Sequence, residues 1–287
     1  MKKTVVLLLM TMGLFAFKSD MPAYQIFNEE GKKVKYEKLL DAAEDADVVF
    51  FGEMHNNPIC HWLQLNLTED LYLETDGNII LGAEMFETDD QLILNEYLND
   101  QLSSSNFAKE AKLWPNYKTD YSPLVDFAKD SNLVFVATNI PRRYASIVYK
   151  NGFEGLDELT PEAKTYIAPL PIEYDAELKG YKDMLTEMEG MGHSNPNLPK
   201  AQAIKDATMA YSIAGAVETG KIFIHYNGTY HSDNFEGIIW YLNMYKPGLK
   251  IVTISSVEQK NIDELDTDNL NKANFILAVP DNMTKTN

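Results

Sequence analysis

The chain has one cysteine in 287 residues, Cys60, so no internal disulfide can brace it, and no Cys-x-x-Cys or His-Glu-x-x-His spacing offers a zinc site. A lone thiol beside Trp62 in a helical pattern reads as a small core side chain rather than a nucleophile. Basic residues are scarce: 25 Lys and Arg stand against 43 Asp and Glu, a formal charge of -18. That imbalance argues against nucleic acid as a partner, because binding would release no counterions, and against attraction to anionic lipid. Long apolar runs are lacking except from Val5 to Phe17, behind Lys2-Lys3. The run is shorter than the roughly 20 residues that span a bilayer. It has the make-up of an export signal, so the sequence predicts a signal peptide over residues 1–20 and an exported, periplasmic or cell-envelope protein. No cysteine closes the run, so a lipobox anchor is not available; the alternative that keeps membrane association is an uncleaved N-terminal anchor.

What is present is concentrated at strand ends. Val48-Val49-Phe50-Phe51 runs into Gly52-Glu53-Met54-His55, then Asn57-Pro58 opens a helix that carries His61 in its first turn. Asn78 to Ala83 is a second apolar run, ending on Glu84; Leu133 to Thr138 ends on Asn139, with Arg142 and Arg143 beyond; Lys221 to Tyr226 ends on Asn227-Gly228, with Tyr230 and His231 next. Strands alternating with helices predict an α/β fold, with a mostly parallel central sheet flanked by helices. Parallel strands bring these four polar tips to one carboxyl edge, where open α/β sheets bind ligands.

The remaining pattern predicts a strand from Tyr24 to Phe27, a helix from Lys38 to Asp45, and a crossover helix from Ile59 to Leu73 whose apolar face includes Trp62 and Leu73. A long helix follows over Ala201–Glu218, and the last two strands are expected at Leu249–Ser255 and Asn274–Val279. Inserts at about 88–130 and 156–199 are expected to form a helical cap on one domain spanning 21–287, and the tail after Pro280 is expected to be disordered.

Several segments occur in an order that resembles the ChaN family of haem-binding uptake proteins, within the wider Tiki/TraB and erythromycin-esterase-like superfamily. They are Gly52-Glu53-x-His55 with Asn57-Pro58 and His61; Gly82-Ala83-Glu84-Met85-Phe86; Trp114, Tyr117 and Tyr121-Ser122-Pro123-Leu124; Asn139-Ile140-Pro141-Arg142; and Gln202 with Asp206-Ala207-Thr208-Met209-Ala210. The resemblance implies an exported haem-binding protein whose dimer holds stacked haems. In it, a tyrosine of one subunit ligates each iron, while a His and a Lys of the other hold the propionates. Tyr121 is the first candidate ligand and Tyr117 the reserve. His193 with Lys200 or Lys205 suits the propionates, with His61 as the alternative, and Arg142 and Arg143 are further carboxylate binders. A homodimer is expected when haem is bound.

A hydrolase is the alternative. Glu53, His55, Glu84 and His231 resemble the set with which esterase-like relatives activate water, and Asn139 or Asn227 could steady an oxyanion. A Tiki-like metal-dependent peptidase using His55 and His231 is a third reading, short of a clear third ligand.

Overall fold

A computed structural model of the chain describes residues 21–190 and 195–286. The predicted signal peptide over 1–20 and His193 lie outside the described residues.

The chain enters through β1 (Gln25–Asn28) and β2 (Lys33–Val34), then α1 (Tyr36–Glu44) leads into β3 (Val48–Glu53). Helix α2 (Pro58–Glu74), β4 (Ile79–Glu87), α3 (Gln91–Leu98), α4 (Ser104–Glu110), α5 (Ser122–Asp130) and β5 (Phe135–Asn139) follow. Next come α6 (Arg142–Asn151), the short α7 (Pro161–Lys164), α8 (Lys179–Gly190) and α9 (Leu198–Ala216). The chain finishes with β6 (Ile222–Gly228), α10 (Ile238–Tyr245), β7 (Ile251–Gln259) and β8 (Phe275–Pro280).

The eight strands form one sheet in the order β2-β1-β8-β7-β3-β6-β4-β5. Strands β3 to β8 pair in parallel, while β1 runs antiparallel to both β2 and β8. Every residue of β3 is buried, because both faces of the sheet are covered. Val49 and Phe51 pack with Leu63, Leu67 and Leu71 of α2 and with α3 and α5; Val48 and Phe50 pack with α9 and α10. Fully burying such a side chain stabilises the fold by about 1.5–3 kcal/mol.

This division follows from the handedness of crossovers. The chain steps one way across the sheet from β3 to β4 to β5, then back from β5 to β6 to β7. A right-handed connection places the helices of the outward steps on one face and those of the return on the other. Strand β6 therefore lies between β3 and β4 with its connection leaving to the opposite face, and this opens a crevice at the shared carboxyl edge.

Some details depart from the sequence expectation. Trp62 and Leu73 of α2 are exposed, at 50% and 70%, because the buried stripe runs through Cys60, Leu63, Leu67 and Leu71. Strand β4 does not stop at Glu84 but continues to Glu87, with a register shift against β5 between Ala83 and Glu87. Such an irregularity re-aims side chains at a sheet's rim. The first insert lies as the β4–β5 crossover, sending Leu94, Tyr97, Leu124 and Val125 into the core. The segment after Pro280 is packed rather than loose: Thr286 N donates to the Asn56 carbonyl at 2.9 Å.

Candidate functional site

At the tip of β3, the Glu53 side chain is completely buried. Its Oε1 accepts from the Tyr121 hydroxyl at 2.8 Å and lies 2.9 Å from His55 Nδ1, while Oε2 accepts from Gln64 Nε2 at 2.5 Å. Each donor arrives by a local rule. Asn57 caps α2 through Ile59 N at 3.0 Å with Pro58 in the first turn, so His61 and Gln64 fall one turn apart on the inward face. Tyr121 closes a π-helical turn over Tyr117–Tyr121, whose extra residue per turn rotates both Asp120 and Tyr121 inward. His61 is buried, with Nδ1 3.2 Å from Gln64 Oε1 and Nε2 3.1 Å from the His55 carbonyl.

His55 keeps 43% of its side chain exposed, its ring edge-on to Trp114 at 4.8 Å. Burial works against its charge, but the hydrogen bond to Glu53 and the charges of Glu84 and Glu53 outweigh burial and the repulsion from His231, so its pKa is raised. The bond to Glu53 favours a proton on Nδ1 and leaves Nε2 on the cavity side. That nitrogen overhangs Gly228: a Cβ there would stand 2.8 Å from it, so the close approach depends on glycine.

The second cluster joins β4, α9 and the turn after β6. Glu84 Oε2 accepts from Gly228 N at 2.7 Å, and Oε1 lies 3.3 Å from His231 Nε2. His231 Nδ1 meets Asp206 Oδ1 at 2.5 Å, and Asp206 Oδ2 accepts from the Tyr181 hydroxyl at 2.7 Å. Burial resists protonation of His231, but Glu84 and Asp206 hold its pKa up at about 10. Burial likewise opposes the charge on Glu84, yet His231, His55 and Gly228 N keep its carboxyl well below the usual range. Gly237, at φ +56°, lets the chain pass so close that a Cβ would lie 2.4 Å from the His231 carbonyl.

Between β4, β5 and β6 the polar tips are mostly structural. His225 Nδ1 faces Asn227 Oδ1 at 3.0 Å and Nε2 faces Thr138 Oγ1 at 2.8 Å; burial lowers its pKa to about 4, so it is neutral. Asn227 is consumed by His225, Ser232 and the Gly228 carbonyl, which removes it as an oxyanion donor. Asn139 Nδ2 donates to the Glu84 carbonyl at 3.0 Å, and its buried Oδ1 has no protein partner among the described residues.

These groups border a cavity of about 710 Å³. Glu53, His55, Glu84, Asn139, Gly228 and His231 form its base. Trp114, Ile140, Met184 and Leu198 supply apolar wall, Tyr149 and Tyr230 aromatic rings, and Arg142 and Lys205 cations. Neither Arg142 nor Lys205 has an ion-pair partner among the described residues, whereas Arg143 is tied to Asp89 at 2.6 Å.

The structure brings together Glu53, His55, Glu84 and His231, and places Arg142 and Lys205 on the same cavity. It places the anticipated tyrosines elsewhere. Tyr121 lies beneath the base with its hydroxyl given to Glu53, and burial with the Glu53 charge keeps the phenol protonated. Tyr117 packs edge-on to Phe86 and Phe107, at 6.3 and 6.0 Å. His61 is likewise below the base, and Lys200 sits 6.0 Å over the Phe153 ring. Neither imidazole nitrogen of His231 is free for a metal, since Asp206 and Glu84 occupy both, so the His55–His231 metal site does not form. Asp206, Gln64, Asn116 and Asp120 carry roles that sequence reasoning did not assign. An Asp amid the buried Ala203, Ile204, Ala207 and Ala210 of α9, and a Gln three residues after His61, were the available signals.

A family model described as haem-binding uptake, Tiki superfamily, ChaN matches residues 39–242, and the chain belongs to that family. The fold is similar to that of Campylobacter jejuni ChaN, solved with cofacial heme binding, with a TM-score of 0.67 and 19% identity over 88% of this chain and 96% of that one. It is also similar to a Bacillus cereus protein, with a TM-score of 0.51 and 13% identity over 85% of this chain and 90% of that one. Among curated proteins, the chloroplastic Arabidopsis thaliana protein RETICULATA-RELATED 5 is 26% identical over 202 residues, 66% of this chain. The match spans about a quarter of that relative's length, 27%.

Proposed function

We propose that this member of the ChaN haem-binding uptake family binds haem in the cavity at the sheet's carboxyl edge. The observation that carries the reading is the pairing of Arg142 and Lys205, neither in an ion pair among the described residues, with an apolar and aromatic wall in an otherwise acidic protein. Cations so placed suit two propionates, and Trp114, Ile140, Leu198 and Met184 suit a flat hydrocarbon macrocycle. The iron ligand of the proposal is Tyr149. It lines the cavity, is 40% exposed, and its hydroxyl has no hydrogen-bond partner among the described residues, whereas Tyr230 donates to the Gly180 carbonyl. When bound, haem supplies a ferric centre that a hard phenolate stabilises. A pair of haems stacked between two copies of the chain accounts for half-exposed Tyr149 and Tyr230, and export through residues 1–20 would deliver the protein to haem outside the cytoplasm.

Ferric haem titrated into the purified protein should shift the Soret band and raise the sedimentation coefficient. Tyr149→Phe should remove the ligand's charge-transfer absorption, and Arg142→Gln with Lys205→Met should weaken retention. No Soret shift, or retention indifferent to both cations, would overturn the reading.

One observation favours a second reading. The Glu53-oriented imidazole of His55 presents Nε2 to a cavity that also holds Asn139 Oδ1, without a hydrogen-bond partner among the described residues, an arrangement able to deprotonate a water for attack on an ester. Turnover of simple esters abolished by His55→Ala would support it; no turnover by the wild-type protein would end it.

A further inference from the structure

The C-terminal segment 281–286 reaches back under the cavity base. Asp281 N donates to the Gln259 carbonyl at 3.1 Å, Lys285 pairs with Glu258, and Thr286 N donates to the Asn56 carbonyl at 2.9 Å. Glu258 in turn accepts from Asn57 Nδ2 at 3.2 Å, so the segment holds the Asn56–Asn57 turn directly at Asn56 and through Glu258 at Asn57. The Thr286 hydroxyl donates to Asp120 Oδ2 at 2.5 Å. That oxygen also accepts from Asn116 Nδ2 at 2.7 Å and lies 3.5 Å from His61 Nε2. Asn116 Nδ2 donates as well to the His55 carbonyl at 2.7 Å, and the Tyr121 hydroxyl lies 3.4 Å from the same carbonyl.

From this chain of contacts we infer that Thr286 is a positioning residue: its hydroxyl and amide fasten the β3–α2 turn to the π-helical turn and so set where His55 stands in the cavity. The physical reason is connectivity. Asp120 lies on the π-helical turn and His55 on the β3–α2 turn, and Asn116 bridges the two. Thr286 binds both at once, one through its side chain and the other through its backbone. A π-helical turn is an uncommon, weakly self-supporting conformation, and an external hydrogen bond to its carboxylate helps to hold it. The inference goes beyond haem binding and holds for whatever ligand fills the cavity.

The test uses the ligand-free full chain with Thr286→Val, Thr286→Ser and a chain stopped after Pro280, read by the histidine ring resonances and by amide exchange. Thr286→Val should move the His55 and His61 signals, leave that of His225 in place, and speed exchange across 54–57 and 117–121 by roughly tenfold, the scale of one hydrogen bond to a charged group. Thr286→Ser should restore the wild-type pattern. Wild-type His55 and His61 signals in both Thr286→Val and the shortened chain would overturn the proposal. So would an equal disturbance at His225, which would mark general loosening, or a change in the shortened chain that Thr286→Val does not share. Because no ligand enters the measurement, failure of haem binding leaves this result standing on its own.

Discussion

The two carboxylate–imidazole clusters share their chemistry and differ in closure. Glu53 and His55 meet at 2.9 Å with the imidazole 43% exposed; Glu84 and His231 meet at 3.3 Å with the imidazole 5% exposed and a second carboxylate, Asp206, behind it. The closed cluster is a standing ion triad, because a cation between two buried anions has no reason to release its proton near neutral pH. The open cluster is the one that a ligand or a water can reach. The cavity is thus built with one fixed electrostatic side and one responsive side.

The sharpest way to break this contrast is His231→Ala, which leaves Glu84 and Asp206 buried without their cation. It should cost about 3–5 kcal/mol in urea or thermal unfolding, the usual penalty for breaking a buried ion pair from one end. Glu53→Ala should cost less, about 1–3 kcal/mol for a buried donor left unpaired, since His55 can turn to solvent while Tyr121 and Gln64 cannot. Equal losses in the two variants would mean that the Glu53 side is as closed as the other.

The pH dependence sharpens the same point. His231 has a folded pKa raised to about 10, so its contribution is complete below its ordinary unfolded value of about 6.5 and is lost as pH rises through 10. Glu84 is depressed, so its contribution is present above about 4.5 and disappears as pH falls through its lowered value. Urea midpoints measured from pH 6 to 10.5 should therefore decline in the wild-type protein, and the difference between wild type and His231→Gln should shrink over that range. A difference independent of pH would remove His231 as a buried cation. The smallest stability effect belongs to Arg142→Gln, expected within about 0.5 kcal/mol because the side chain has no ion-pair partner among the described residues to lose, while haem retention falls.

How much of this was legible depended on whether a residue's role was written locally. The tips of β3 and β6 are legible because an apolar run that ends on Glu, His or Asn declares both the strand and its polar end; the end of β4 is not, since that strand continues past Glu84 to Glu87. The α2 cap was legible because Asn57-Pro58 has a single local meaning. Asp206 was not given its role because a helix residue's partner, here His231, lies 25 positions away. Tyr121 stands out in the sequence as a ligand candidate, whereas its contact is Glu53, 68 residues distant, and the π-helical turn that aims it has no local signature. The tail after Pro280 read as loose because its polar residues carry no periodicity; its order comes from tertiary hydrogen bonds to Asn56 and Asp120. Trp62 and Leu73 fall outside the buried face because the apolar residues of α2 are scattered around the helix rather than gathered in one stripe, so the pattern alone does not tell which side meets the sheet.

The position of β3 between β6 and β7 bears on how the protein assembles. Val48 pairs with Phe223 on one side and Ile251 on the other, so the strand that carries Glu53 has neither neighbour until more than half of the chain has followed it. Pairings of such sequence separation carry a large loop-closure cost before they return any stability, and they fold slowly. During synthesis the stretch Val48-Val49-Phe50-Phe51 emerges early and waits with both edges open, an aggregation hazard in any compartment. If the chain crosses a membrane before folding, that late closure is an advantage, since β3 cannot be locked into the sheet until β6 and β7 arrive.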